Sequence, residues 1–305
     1  MCCLFGFYNY SGQIIKNLSH LTNCLAEEAT IRGTDATGIA YNHKGKLVIY
    51  KEPKSAFQID FKHPDDVVCV MGHTRHSTQG NKKKNYNNHP FPGRCKNLNF
   101  ALAHNGVLTN DYELRRELHL PHTKVETDSY IAVQLLEKKK ELNSNSIKFM
   151  AEKVHGSFAF SIIDTDNSLW LVRGDSPLAL IHIPKHKLYV YASTKEILYK
   201  SLVDTKLFDA VKHGETEEIE IASGDILNIL PDGAIVYSNF NYKDCSDFGR
   251  YNWWNYGDSG YLDDMYIDDL KEVAKSYGYS PNAIDELLEQ GFSPEEVEEY
   301  IYCME

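Results

Sequence analysis

The chain has 305 residues, of which 42% are hydrophobic and 25% charged, a composition typical of a folded globular protein rather than a disordered one. Its apolar runs are far shorter than a membrane-spanning helix needs, and its first residues lack the basic and apolar stretches of a signal peptide. Its seven cysteines form an odd number without a CxxC spacing. We therefore expect a cytoplasmic protein without a disulfide framework or a membrane partner.

The net charge of −11 is concentrated near the C-terminus. Residues 258–305 contain fourteen acidic residues and two lysines, a net charge of −12, so residues 1–257 carry a net charge of +1. A nearly neutral body offers no electrostatic attraction for nucleic acid, and we expect no nucleic-acid partner. The acidic segment is either a solvated structural cap or a docking surface for a partner protein.

In chain order, apolar runs bounded by Gly, Pro, Asn and Asp alternate with helical patterns. Pairs of such runs predict four β-hairpins, formed by 38–41 with 46–50, 157–164 with 169–173, 178–183 with 188–192, and 226–230 with 234–237. Apolar residues at three- and four-residue spacing predict helices at 18–29, 129–139, 147–154 and 194–203. Single strands are predicted at 67–71 and 100–103, and a long polar loop at 81–94. Antiparallel hairpins with interspersed helices predict an α+β fold.

The sequence divides into a body at 1–240, a predicted linker at 241–257 and an acidic helical segment at 258–305. Residues 278–284 and 291–297 of that segment resemble each other, each with a Ser-Pro pair that is typical of the start of a helix. We therefore expect a small helical appendage after the linker.

Cys2 is a candidate nucleophile. Removal of Met1 would leave Cys2 with a free α-amine, whose pKa is ordinarily about 7.7–8.0, beside a thiol whose pKa is about 8.5. The neutral amine can take the thiol proton and so activate the sulfur. The alternative interpretation is that Cys2 is simply a small buried residue of the first strand.

Three further segments carry complementary chemistry. Arg75 follows an apolar strand and offers a planar fork for a carboxylate. Asn105 and Gly106 follow another strand and can donate side-chain and backbone N–H groups to an oxyanion. Asp128 begins a predicted helix, where it either caps the helix or receives an ammonium group. A nucleophile with these partners fits an amino-acid amide substrate, and we expect no metal and no cofactor.

An ordered series of segments resembles the class II glutamine amidotransferases, members of the N-terminal-nucleophile hydrolases. The matching segments are 2–7, 32–38, 72–75, 78 with 80, 88–90, 104–106 and 126–128. The resemblance extends from residue 2 to about 240. It implies a glutamine amidotransferase domain over 1–240, folded as a four-layer αββα sandwich.

The resemblance also implies roles for the residues that carry it. Cys2 is then the nucleophile, with its own α-amine as the base. Asn105 and Gly106 form the oxyanion hole. Arg75 binds the α-carboxylate of glutamine, and Asp128 binds its α-amine.

Four residues have supporting roles by the same resemblance. Thr78 lines the substrate pocket, and Arg32 supports the turn at Cys2. His76 and Gln79 stand where the family commonly has Trp and His, and we expect them to support the lid of the pocket.

The sequence contains no motif of an ammonia-consuming synthase, and only about 65 residues follow the body. We therefore expect a stand-alone domain that hydrolyses glutamine through a Cys2 thioester and supplies ammonia to a separate synthase, with the acidic segment as a possible docking element. One alternative is a hydrolase of another γ-glutamyl amide or peptide. Others are a bile-salt or penicillin-acylase type hydrolase, and a non-catalytic binding protein on the same fold.

Overall fold

A computed structural model describes residues 2–15, 17–77, 79–96 and 98–242, and, beyond these, residues 267, 270, 271, 274, 275, 279–290, 292 and 297. The chain divides into two compact units, Met1–Cys245 and Ser246–Glu305. Within the described residues, no helix is both long enough and apolar enough to cross a membrane.

The first unit contains two antiparallel sheets. The strands of the first sheet are β1 (Cys3–Asn9), β2 (Ala36–His43), β3 (Lys46–Glu52), β4 (Cys69–Arg75), β9 (Ala179–Ile183), β10 (Leu188–Ala192) and β11 (Glu217–Ile219). Their order in space is β11-β9-β10-β1-β4-β2-β3. The strands of the second sheet are β5 (Phe91–Arg94), β6 (Asn99–Leu108), β7 (Gly156–Asp164), β8 (Leu169–Arg173), β12 (Asp225–Ile229) and β13 (Ile235–Asn239). Their order in space is β13-β12-β8-β7-β6-β5.

Six helices accompany the sheets in the described part of this unit. They are α1 (Leu18–Glu28), α2 (Asp111–Glu117), α3 (Tyr130–Lys139), α4 (Ser144–Lys153), α5 (Lys195–Leu202) and α6 (Phe208–Lys212). The N-cap of α4 is Asn143, whose side chain accepts a hydrogen bond from the Ser146 amide at 3.0 Å. Such a cap satisfies one of the amides left free at the start of a helix.

Three apolar cores hold four layers together. Leu4 and Met71 of the first sheet pack with Ala103 and Leu171 of the second, so the two sheets face each other. Helices α1 and α5 cover the outer face of the first sheet, and α3 and α4 cover the outer face of the second. The predicted αββα sandwich is therefore confirmed.

Both strands that lead into the site are longer than the sequence predicts. β4 continues to Arg75, because β1 pairs with it as far as Thr74 and β2 pairs with it as far as Arg75. β6 continues through Asn105 and Gly106 to Leu108, because β7 pairs with it along that length. The prediction that these residues follow their strands is therefore wrong, since ladder pairing on neighbouring strands overrides their polar character.

The predicted hairpins and helices are confirmed within a few residues at their ends, but the loop predicted at 81–94 is wrong at Phe91–Arg94. Those residues form β5, which lies at the edge of its sheet and pairs only with β6. An edge position tolerates Pro92, which cannot donate to a ladder. The short elements α2, α6 and β11 were not predicted.

In the second unit, helix α7 (Pro281–Glu289) begins as the Ser-Pro pair predicts. The Ser280 hydroxyl accepts a hydrogen bond from the Asn282 amide at 3.3 Å, and Pro281 occupies the first turn. Ile284 belongs to a small core with Leu270 and other apolar residues of this unit. Most of the second Ser-Pro segment, at 291–297, and most of the predicted linker lie outside the described residues.

Candidate active site

Cys2 lies just before β1, beneath the loop that follows β4. Its thiol donates a hydrogen bond to the backbone carbonyl of His76 at 3.4 Å. The Arg32 Nε donates to the carbonyl of Cys2 at 3.1 Å, which is the contact expected of a residue that supports this turn. Burial raises the pKa of the Cys2 thiol, so activation of the sulfur needs a nearby base.

Ser193, which follows β10, joins the start of β1 to Asn105. Its hydroxyl accepts a hydrogen bond from the Leu4 amide at 2.9 Å, and its own amide donates to the Leu4 carbonyl at 2.9 Å. The Asn105 Nδ2 lies 3.4 Å from the same hydroxyl. No role for Ser193 is predicted from the sequence, and the signal that could have indicated one is its place directly after the last residue of β10.

Asn105 and Gly106 lie in the C-terminal half of β6, opposite Ala159 and Phe158 of β7. Asn105 is buried, and Gly106 has a φ of 131°. A Cβ at Gly106 would lie 2.1 Å from the Ser157 carbonyl oxygen. The positive φ and the lack of room for a Cβ both require glycine at position 106. The same backbone angle gives the Gly106 N–H an unusual orientation beside the side-chain amide of Asn105.

We expect Gly106→Ala to destabilise the fold by about 3 kcal/mol, because it combines backbone strain with a clash against a neighbouring strand. The measurement is the free energy of unfolding from urea titration. Gly45→Ala is the matched control, since Gly45 also has a positive φ, of 73°, but a Cβ there meets no atom within 4 Å. It should cost about 1 kcal/mol. Equal costs for the two variants would contradict the tight packing at Gly106.

Arg75 ends β4 with its guanidinium buried. One terminal nitrogen donates to Asn88 Oδ1 at 2.6 Å. The other donates to the Gln79 carbonyl and to the Gly80 carbonyl, the latter at 3.2 Å. Residues 76–87 are hereafter called the lid loop. A substrate carboxylate would compete with these lid-loop carbonyls for the Arg75 fork.

Asp128 does not cap the helix that follows it. Its Oδ2 accepts a hydrogen bond from the Leu108 amide at 2.6 Å, and its Oδ1 accepts one from the Ser129 hydroxyl at 3.2 Å. Ser129 is the N-cap of α3 and makes no side-chain capping bond. The capping alternative is therefore wrong, since the carboxylate faces the end of β6. The Asp128 amide donates to Gln79 Oε1 at 2.8 Å, so Gln79 links the lid loop to Asp128.

Two ion pairs, neither of them predicted from the sequence, hold the lid loop. Lys82 pairs with Asp35, whose other oxygen accepts a hydrogen bond from the Ser77 amide at 2.9 Å. Lys84 pairs with Glu126, which also binds side-chain and backbone N–H groups of the lid loop. These bonds lower the pKa of Glu126 to about 2. Thr78, predicted to line the pocket, lies outside the described residues.

Three buried histidines lie behind Arg75. The rings of His73 and His89 are 4.1 Å apart between centroids, and His73 Nε2 lies 3.0 Å from the His104 carbonyl. Burial lowers the pKa of all three, that of His73 to about 3, so they are neutral near pH 7. Within the described part of the chain, no group of three His, Cys, Asp or Glu residues could hold a metal ion.

Residues 73–200 match a protein family described as "Glutamine amidotransferase domain". The amidophosphoribosyltransferase of Methanocaldococcus jannaschii is 31% identical over 238 residues, which are 75% of this chain and 48% of that protein. A glutamine–fructose-6-phosphate aminotransferase of Listeria monocytogenes is 31% identical over 190 residues, 59% of this chain and 30% of that protein. The chain thus spans less than half the length of each of these relatives.

Among solved structures, the glutamine phosphoribosylpyrophosphate amidotransferase of B. subtilis matches with a TM-score of 0.62 and 21% identity, over 79% of this chain and 50% of that one. Two facing antiparallel sheets between helical layers match the N-terminal-nucleophile hydrolase fold of that structure, and Cys2 lies just before β1. Within that class, the chain carries a class II glutamine amidotransferase domain, and its relatives are enzymes. The resemblance inferred from the sequence motifs is confirmed.

Proposed function

We propose that the chain hydrolyses the side-chain amide of glutamine to glutamate and ammonia through a thioester on Cys2. One series of contacts carries this proposal. The Cys2 thiol binds the carbonyl of His76, the residue directly after Arg75, and Gln79 binds both the Arg75 guanidinium and the Asp128 amide. Asn105 reaches the same region through Ser193, which binds the residue next to Cys3 in β1. The proposed nucleophile, the proposed oxyanion donor and the two groups proposed to bind the amino-acid end of glutamine thus lie in one region of the fold.

The chemistry starts once Met1 is removed. The α-amine of Cys2 takes the thiol proton, and the sulfur attacks the amide carbon of glutamine. Asn105 Nδ2 and the Gly106 amide stabilise the oxygen anion that forms. The protonated amine returns its proton to the leaving nitrogen, and ammonia departs. Water then hydrolyses the thioester, which releases glutamate and restores the thiol.

Binding of the amino-acid end of glutamine falls to Arg75 and Asp128. The Arg75 fork binds the α-carboxylate in place of lid-loop carbonyls, and Asp128 receives the α-ammonium group. Gln79 connects the two, because its carbonyl binds Arg75 and its side chain binds the Asp128 amide. His76 contributes its backbone carbonyl, which accepts a hydrogen bond from the Cys2 thiol. A pocket-lining role for Thr78 stays a prediction from the sequence.

We further propose that the ammonia goes to a synthase. The relatives are named as an aminotransferase and an amidophosphoribosyltransferase, names that support a downstream acceptor for nitrogen. The proposed arrangement is a domain at 1–240, a linker at 241–257 and an acidic helical segment at 258–305 that docks on the synthase. The same site chemistry would serve another γ-glutamyl amide if the side-chain pocket is wide.

A substrate comparison tests the proposed reaction. Purified chain with Cys2 verified as its first residue by mass spectrometry is given glutamine, a γ-glutamyl peptide or cholylglycine, and amide hydrolysis is measured. A preference for glutamine, with one ammonia per glutamate, supports the proposal. A preference for the γ-glutamyl peptide favours the alternative hydrolase, and no hydrolysis of any substrate favours a non-catalytic binding protein.

A chain that ends after Gly257 should keep kcat/KM for glutamine within about twofold, because the proposed site residues all precede residue 130 and surface substitutions far from a site have small effects. The measurement is glutaminase kinetics of the truncated and full-length chains. Loss of hydrolysis in a truncated chain would show that the segment belongs to the glutaminase unit and would contradict its proposed docking role.

The proposed docking role is tested by pull-downs from the native host with the full-length chain and the chain that ends after Gly257. The full-length chain should retain a basic partner whose binding weakens as salt rises, because attraction between surface charges is screened over about 8 Å at physiological ionic strength. The partner should carry an ammonia-dependent synthase activity. Equal retention by the truncated chain would remove the acidic segment from the interaction.

A further inference from the structure

Lys51 of β3 is a half-buried cation that the proposed mechanism does not use. Its Nζ donates hydrogen bonds to the backbone carbonyls of Asn88 and Pro90, the latter at 2.9 Å. It also lies 5.1 Å from the centre of the Phe91 ring. Its hydrogen-bond partners are thus two carbonyls of one short segment, residues 88–90, which follows the lid loop.

Asn88 connects that segment to Arg75. The Asn88 side chain is fully buried, and its Oδ1 accepts the hydrogen bond from the Arg75 guanidinium at 2.6 Å. Its Nδ2 donates to the Lys82 carbonyl of the lid loop at 2.9 Å. Lys51 therefore fixes the backbone of the residue whose side chain orients Arg75.

Close packing brings the segment within reach of Lys51. Gly38 of β2 lies opposite Lys51 in the ladder. A Cβ at Gly38 would lie 2.3 Å from the His89 carbonyl oxygen and 2.6 Å from Lys51 Cβ. Segment 88–90 therefore packs directly against β2 and β3. A side chain larger than that of glycine at position 38 would prevent this close packing.

The electrostatics show that the ammonium is costly here. Burial, together with the nearby positive charge of Arg75, lowers the pKa of Lys51 to about 8. His73 and His89 also interact with this charge; both are neutral near pH 7 and do not compensate it. The Lys51 ammonium is thus held in this half-buried position by hydrogen bonds to two carbonyls and not by an ion pair, so any structural effect that it has acts through those hydrogen bonds.

We propose that Lys51 is a positioning residue for the α-carboxylate subsite: it holds segment 88–90 in place, and Asn88 in turn holds Arg75 in the orientation that receives the carboxylate. This inference rests on the proposed glutaminase function. Its consequence is a defect in glutamine binding rather than in the chemical step, because Cys2 and Asn105 do not contact the segment through the bonds described above.

The test replaces Lys51 with Met, which keeps length and apolar stem but removes the donors. KM for glutamine should rise about tenfold, the effect of losing a charged hydrogen bond, while kcat stays within about twofold. Lys51→Arg should restore most of the affinity. Lys46→Met is the matched control, because Lys46 is exposed on the same strand, and it should leave both constants unchanged.

A second variant and a labelling experiment separate positioning from general damage. Asn88→Ala removes the hydrogen bond between Asn88 and Arg75, so it should raise KM for glutamine by a similar factor. The double variant Lys51→Met with Asn88→Ala should raise KM little further than either single variant. A diazo ketone analogue of glutamine, which carries the α-carboxylate, should label Cys2 of Lys51→Met about tenfold more slowly. Iodoacetamide, which lacks the carboxylate, should label it at the wild-type rate.

Three results would overturn the inference. One is an unchanged KM in Lys51→Met, and another is an equal slowing of both labelling reagents, which would mean that the whole site is disturbed. The third is a double variant in which the effects of the two single changes on the free energy of glutamine binding, taken from KM, add fully. A wild-type chain that neither hydrolyses glutamine nor reacts with the diazo ketone would instead overturn the proposed function, and this positioning role with it.

Discussion

Replacing Cys2 with alanine should lower kcat for glutamine hydrolysis by at least about four orders of magnitude, because removal of a covalent nucleophile leaves only binding and oxyanion stabilisation. The fold should persist, since Cys2 lies before β1 and its side chain makes one weak hydrogen bond. Steady-state glutaminase kinetics and a thermal melt measure the two effects. Cys24→Ala is the matched control, because Cys24 lies on α1 and its thiol contacts His20 rather than the site. Substantial activity in Cys2→Ala would contradict the assignment.

The α-amine has its own test. A fixed tag in front of Cys2 removes the free amine and keeps the thiol, so such a chain should be inactive although Cys2 is present. Full activity with the tag in place would show that another group is the base. Burial raises the pKa of the Cys2 thiol, so we expect the proposed reaction to need such a base over the neutral pH range.

Asn105→Ala and Arg75→Lys should separate chemistry from binding. Asn105→Ala should lower kcat by roughly 10²–10³ with little change in KM, because the oxyanion exists only after attack. Arg75→Lys should raise KM by a larger factor, because a lysine cannot present the bidentate fork. The measurement is the full kinetic profile of each variant with glutamine.

Ser193→Ala provides the matched control for Asn105. It removes the hydroxyl 3.4 Å from Asn105 Nδ2 but keeps the amide donor itself, so its effect on kcat should be much smaller. If Asn105→Ala and Arg75→Lys both change only KM, the proposed oxyanion role of Asn105 is wrong.

Much of the fold could be predicted from the sequence because its signals are local. The turn predicted at 42–45 contains Lys44 and Gly45, which separate β2 from β3, and apolar residues at helical spacing mark α1 and α3. The ends of β4 and β6 could not be predicted in this way. His73, Thr74 and Arg75 are polar, and they become strand residues because neighbouring strands pair with them. β1 and β2 pair with His73 and Thr74 from both sides, and β2 alone pairs with Arg75.

In the candidate site, too, single residues could be predicted from local motifs, whereas the contacts between them could not. Cys2, Arg75, Asn105 and Asp128 could be predicted as site residues because each lies in a short motif with recognisable chemistry. Their connections join residues far apart in the chain, and no local spacing encodes such contacts. Ser193 and Asn105 are in contact although they are 88 positions apart in the sequence, and Lys51 and Asn88 are in contact although they are 37 positions apart. Only the folded sheets bring these residues together.

The central claim is that Cys2, freed from Met1, is the nucleophile of a glutamine site. Its most direct test is peptide mapping by mass spectrometry after reaction of the full chain with the diazo ketone analogue of glutamine. The account predicts one label per chain, on a Cys2 that is the first residue, and protection by glutamine. A label on the buried neighbour Cys3, or a label on Cys2 that glutamine does not prevent, would contradict it.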